Sequence, residues 1–150
     1  MSTRSSLCAA ALGLASLAAF AQAPSADPRG RWITASGNLE VEVAPCGAAL
    51  CGVVTKVIAN HSMSRPGEAM QPADTRPALG MTLLKNFTAE EGEAGTWRGE
   101  IYNRENGKTY SGLMSLDANG AMVLRAYVGL PAFGKTQLWQ RAAFAADAPR

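Results

Sequence analysis

The sequence is poor in the residues that carry chemistry. It has one histidine, His61, and three cysteines in 150 residues. A structural zinc site takes about four ligands, mostly Cys and His. Cys46, Cys51 and His61 fall short of that, so no metal and no other cofactor is expected. Charge is also scarce, at 17% of residues and a net +2. The basic residues do not cluster, which excludes a nucleic-acid footprint. So even a balance implies neither an acidic partner nor an anionic membrane surface. Helical periodicity is almost absent after the N-terminus, and no second apolar run there is long enough to span a membrane.

The exception is the N-terminus itself. Arg4 precedes "LCAAALGLASLAAF" (residues 7–20), and Ala19, Ala21 and Ala23 follow at small-residue spacing. A basic start, an apolar middle and an A-x-A site form a secretory signal peptide. Cleavage after Ala23 would leave Pro24 first, so cleavage after Ala21 is favoured. The peptide is then 1–21, and Cys8 leaves with it. Residues 22–150 form one domain, long enough for a real core, with ends at 22–28 and 142–150 expected to fray. No transmembrane anchor survives cleavage, and the expected location is periplasmic or secreted.

What is present is alternation. Eight segments have a period of two: 30–34, 38–44, 50–58, 81–87, 96–103, 108–116, 121–128 and 135–141. In "NLEVEVA", Leu39, Val41 and Val43 oppose Glu40 and Glu42. In "TWRGEIYN", Trp97 and Ile101 oppose Arg98 and Glu100. Asn106-Gly107 and Asn119-Gly120 are hairpin signals in which both residues tolerate positive φ. Short strands at such spacing read as an all-β sandwich or barrel. An up-and-down order of about eight favours an antiparallel barrel, because closure removes exposed edges. The one long connection, 59–80, carries Pro66, Pro72 and Pro77; a loop of that length is usually a lid or a mobile segment.

"GRWIT", "CGAALCG", "RPALGMTLLKNF", "WRGEIYNRENGKTYSGLMSL" and "GLPAFGKTQLWQR" occur in this order. Together they resemble the bacterial secreted family catalogued as domain of unknown function 2147, over roughly residues 27–141. Glu100 stands where that family's pattern suggests Gly or Lys, and the long loop lacks its Asp/Asn/Lys-rich stretch. The resemblance implies a fold and a compartment but no activity. A looser similarity is to lipocalin-like barrels, with Gly30-Arg31-Trp32 on the first strand and Arg141 near the end of the last. It implies a barrel floor closed by Trp32 under the Arg141 guanidinium, a cation–π stack of about 0.5–2 kcal/mol.

"PCGAALCG" (45–52) admits three readings: metal clamp, redox centre or disulfide. Redox pairs use Cys-x-x-Cys at a helix start, whereas this spacing is longer and its flanks are strands. In an oxidising compartment a disulfide is expected, with Cys46 and Cys51 facing each other across the hairpin mouth. His61 has no Ser, Cys or carboxylate placed to make it catalytic. Ser111 and Ser115 lack a nucleophile elbow. Glu40, Glu42 and Glu100 form a solvated outer face rather than a glycosidase pair. No catalytic residue is assigned, and the chain is read as a non-enzyme.

Function then rests on the barrel interior and its mouth. Trp32, Trp97, Tyr110, Met114, Met122, Leu124 and Trp139 could all point inward. An eight-stranded barrel is just wide enough to be filled or to hold one small ligand. Phe133, at the tip of the Gly/Pro loop 129–137, reads as an entrance lip or a plug. Arg76 and Lys135 are candidate anchors for an acidic head group. The leading expectation is a periplasmic module holding an apolar or amphipathic small molecule without performing chemistry. The alternative is a filled barrel that binds an envelope protein.

Overall fold

Period-two alternation becomes eight antiparallel strands in the computed structural model, which describes residues 27–143. They are β1 (Gly30–Ile33), β2 (Leu39–Cys46), β3 (Ala49–Val57), β4 (Thr82–Ala89), β5 (Thr96–Asn103), β6 (Lys108–Leu116), β7 (Met122–Tyr127) and β8 (Lys135–Arg141). Each pairs with the next, and β8 pairs back onto β1 to close an up-and-down barrel. A single 3-10 turn, Pro131–Phe133, precedes β8. The signal peptide, with Cys8, lies outside the described residues. So do most of the ends expected to fray, although Pro28 and Ala142 are described and buried.

Up-and-down order puts alternate connections at opposite ends. Turns 47–48, 90–95 and 117–121 lie at one end with the start of β1 and the end of β8; we call it the floor. Connections 34–38, 58–81, 104–107 and 128–134 lie at the other, the mouth. Inward positions of all strands meet in one core that includes Trp32, Val41, Val54, Leu84, Phe87, Met114, Met122, Leu124 and Trp139. Ala78 and Met81, at the end of the long connection, belong to the same core.

Three local details differ from the sequence reading. Strand pairing continues to Cys46 and Ala49, so the β2–β3 tip is only Gly47-Ala48. Cys46 therefore opposes Ala49 and Cys51 opposes Ala44. The disulfide is diagonal rather than directly across, with Cα atoms 5.8 Å apart, inside the usual range. At the two Asn-Gly steps only the glycines have positive φ. The connections are four and five residues long, and such loops are built around other turns than the two-residue type. In the second, the Asp117 carboxylate accepts from the N–H groups of Asn119 and Ala121, at 2.9 Å each. Finally, β4 breaks its alternation at Asn86, φ +56°, a bulge that lets Leu84 and Phe87, three positions apart, both be buried.

Candidate functional site

The floor is closed by side chains from the first and last strands. Trp32 is fully buried, and its indole N–H donates to the Pro28 carbonyl at 2.8 Å. The Arg141 guanidinium lies 4.1 Å from the centroid of that ring. Its two terminal nitrogens donate to the carbonyls of Arg29 and Asp27, at 3.1 and 3.3 Å. Arg141 therefore ties the entering chain to the closing strand. It needs Gly30, where a Cβ would stand 2.8 Å from Arg141 Nη1.

Above the floor, three inward glycines let large side chains cross the barrel. A Cβ on Gly52 would meet Leu84 at 2.9 Å, one on Gly99 would meet the Phe87 ring at 2.6 Å, and one on Gly112 would meet Ile101 at 2.7 Å. Met114, Met122, Leu124 and Trp139 pack in the same cluster, with Trp97 partly buried against it. Tyr110 is half-buried and faces inward beside Ile101; its hydroxyl accepts from the Asn106 amide at 2.8 Å. Phe133 stands apart from these residues, 81% exposed on the mouth loop 128–134.

The long connection is fastened at three points. The Asn38 side chain both donates to the His61 carbonyl (2.8 Å) and accepts from the His61 N–H (2.7 Å). The Glu105 carboxylate accepts from the hydroxyls of Ser62 and Ser64, the latter at 2.7 Å. Asp74 accepts from the Tyr102 hydroxyl at 2.7 Å and is gripped by the Arg76 guanidinium. These contacts have electrostatic consequences. The serine hydroxyls hold the Glu105 carboxyl below its ordinary range. Arg76, then Tyr102, hold Asp74 well below it, and Asp74 in turn raises the Tyr102 phenol.

Arg76 thus has its charge matched by Asp74, while Lys135 is exposed at the start of β8. The His61 imidazole is exposed; only its backbone is engaged by Asn38. Glu40, Glu42 and Glu100 lie on the outer wall. Glu40 pairs with Arg31 at 3.3 Å, and Glu100 accepts from Asn86 at 2.9 Å. Among the described residues no group of three His, Cys, Asp or Glu could hold a metal. Two clefts lie outside the barrel wall. One, of about 450 Å3, sits between the end of the long connection and β4–β6, lined by Arg76, Leu79, Met81, Lys85, Tyr102 and Thr109. The other, of about 610 Å3, lies over β1–β3 beside Glu40, Glu42 and Lys56.

Sequence reasoning missed the fastening residues Asn38, Ser62, Asp74, Tyr102 and Glu105, whose partners lie 23 to 43 positions away and carry no periodic signal. It also missed Gly99 and Gly112, because a strand glycine shows its use only when its cross-strand neighbours are known.

No curated protein matches the chain. Among solved structures, one from the human pathogen Helicobacter pylori, described as belonging to the lipocalin family, is similar. It aligns at 16% identity with a TM-score of 0.56, covering 79% of this chain and 85% of that one. The likeness is one of fold, a closed antiparallel eight-stranded barrel with almost no helix. The family model described as "Uncharacterized protein conserved in bacteria (DUF2147)" matches residues 30–141, nearly all of the barrel, and the chain belongs to that family.

Proposed function

We propose that the chain is an extracytoplasmic, non-catalytic binding module that takes an apolar or amphipathic small molecule through the mouth of its barrel. The observation that carries this reading is the asymmetry of the barrel. One end is sealed by Trp32, Arg141 and Pro28, and the other is framed by long loops. A disulfide suits an oxidising compartment outside the cytoplasm, in line with the N-terminal segment read as a signal peptide. Lipocalin-like barrels are among the folds that hold one small ligand.

A second reading has its own support. Leu84, Phe87 and Ile101, laid over three inward glycines, fill the middle of the barrel. This favours a solid scaffold that presents its mouth loops to an envelope protein. Native mass spectrometry of gently purified protein separates the two. Under the first reading a bound mass is present and is lost on solvent extraction. Fatty acids then shift the tryptophan emission. No bound mass and unchanged emission over a full titration would overturn the ligand reading. Periplasmic crosslinking to one defined protein would then favour the scaffold.

A further inference from the structure

Charge and exposed apolar surface are both distributed unevenly between the two ends. At the mouth, the β7–β8 loop exposes Val128 (75%), Leu130 (62%) and Phe133 (81%) to water. Across the mouth, the loop after β3 exposes Ile58, Met63 and Leu79. The other large apolar side chains exposed among the described residues are Val57, at the mouth end of β3, and Leu138, on the wall. Exposed apolar groups gathered in this way mark an interaction site.

The Phe133 tip is also held in place. Arg125 donates to the carbonyls of Pro131 and Ala132, at 2.5 and 3.1 Å, and to the Thr136 hydroxyl at 2.7 Å. A pinned loop presents its aromatic ring without an ordering cost on binding.

The cations follow the same end. Lys108 and Lys135 stand at the mouth with no ion pair among the described residues. The mouth acids Glu68 and Asp74 are each matched by an arginine, which leaves Glu105 alone against the two lysines and Arg104. The floor carries a smaller excess of the opposite sign: Asp27 and Glu90 are matched by Arg29 and Arg98, which leaves Glu91, Glu93 and Asp117 against Arg141. The balanced net charge therefore conceals a cationic, apolar mouth and an acidic floor.

We propose that the mouth end docks on an anionic phospholipid bilayer, with Leu130 and Phe133 entering the acyl boundary and Lys108 and Lys135 meeting the head groups. An apolar tip with two lysines at the same end matches an interfacial anchor, whose binding combines buried apolar area with attraction to anionic lipid. The acidic floor is repelled by the same surface, which sets the orientation. The inference does not rest on the ligand reading, since a filled barrel would present the same mouth.

Co-sedimentation of the folded, disulfide-bonded protein with phosphatidylcholine vesicles, with and without phosphatidylglycerol, tests it. Binding is expected to be about tenfold tighter with the anionic lipid and to weaken as salt screens the lysines. Leu130→Ser/Phe133→Ser lowers binding about tenfold with an unchanged melting temperature. Lys108→Gln/Lys135→Gln lowers it about fivefold or more and flattens the salt dependence. Leu138→Ser, on the barrel wall, leaves binding intact. Equal or absent binding to the two vesicle types overturns the proposal, as does indifference to the mouth variants or an equal loss with Leu138→Ser. So does a dimer that Leu130→Ser/Phe133→Ser dissolves in the absence of vesicle binding.

Discussion

Arg141 and Trp32 are register partners across the seam where β8 closes on β1, with the guanidinium 4.1 Å from the ring centroid. The same arginine holds the carbonyls of Asp27 and Arg29, so one side chain joins the entry of the chain to its last strand. Arg141→Ala is expected to cost about 1–2 kcal/mol, from the lost stack and two hydrogen bonds. Gly30→Ala crowds Arg141 Nη1 at 2.8 Å and strains a residue at φ +126°. Combining the two removes the crowding but leaves the strain. Urea unfolding of the single and double variants should therefore show a double-variant cost smaller than the sum.

The interior glycines give a second double-mutant test. Gly112→Ala would place a Cβ 2.7 Å from Ile101 and 3.1 Å from Phe87, and overpacking of this kind costs about 1–3 kcal/mol. Both atoms of Ile101 that it meets are side-chain atoms, so Ile101→Ala makes room for the new methyl. Gly99→Ala is different, since its Cβ also meets the Lys85 carbonyl oxygen at 2.6 Å, and no side-chain change relieves a backbone clash. Denaturation midpoints should show rescue of Gly112→Ala by Ile101→Ala, and no comparable rescue of Gly99→Ala by Phe87→Leu.

The Cys46–Cys51 bridge closes a short hairpin and should leave no free thiol among the described residues. Closing so small a loop contributes about 2 kcal/mol on the chain-entropy model. Cys46→Ser/Cys51→Ser should lower the unfolding free energy from urea titration by that amount, and the bridge lies at the floor end, far from the mouth loops. Vesicle or ligand binding should therefore be unaffected. A variant that kept its stability but lost binding would contradict a purely structural bridge.

Much of this architecture is legible in the sequence, and the lapses have physical causes. β5, β6 and β8 run over 96–103, 108–116 and 135–141, where alternation is unbroken and Gly or Pro punctuates the connections. β4 is less regular because the bulge at Asn86 puts Leu84 and Phe87, three positions apart, in the core, and because its pairing with β3 slips between Thr82 and Leu84. The register of Cys46 and Cys51 depends on how far pairing continues toward the tip, which a two-residue turn decides. The fastening of the long connection is the least legible part. Neither Ser62 nor Glu105 has local surroundings that name the other, and only folding brings them together. The likeness to a lipocalin-family barrel concerns the backbone path; the contents of the interior depend on glycines that local pattern reads as weak strand positions.

The fastening of that connection should depend on acidity, with a definite sign. Glu105 and Asp74 have carboxyl pKa values lowered by the contacts that hold the loop, the Ser62 and Ser64 hydroxyls for one and Arg76 with Tyr102 for the other. In the unfolded chain these groups titrate at about 4. A folded value below the unfolded one means that the deprotonated carboxylate is the form favoured in the native state. Its contribution is complete above the unfolded value and is lost as pH falls through the lowered folded values. The 61–74 segment should therefore stay protected near neutrality and loosen below about pH 4. Glu105→Gln removes the charge at every pH and should loosen the Ser62–Ser64 contact even at neutral pH, with Asp74 still holding the distal part. Hydrogen exchange or limited proteolysis of 61–74 across pH measures this. Protection that is unchanged by acid and by Glu105→Gln would show that contacts without a titrating group hold the loop, namely the Asn38 clamp on the His61 backbone and the Ala73 N–H to the Arg104 and Glu105 carbonyls.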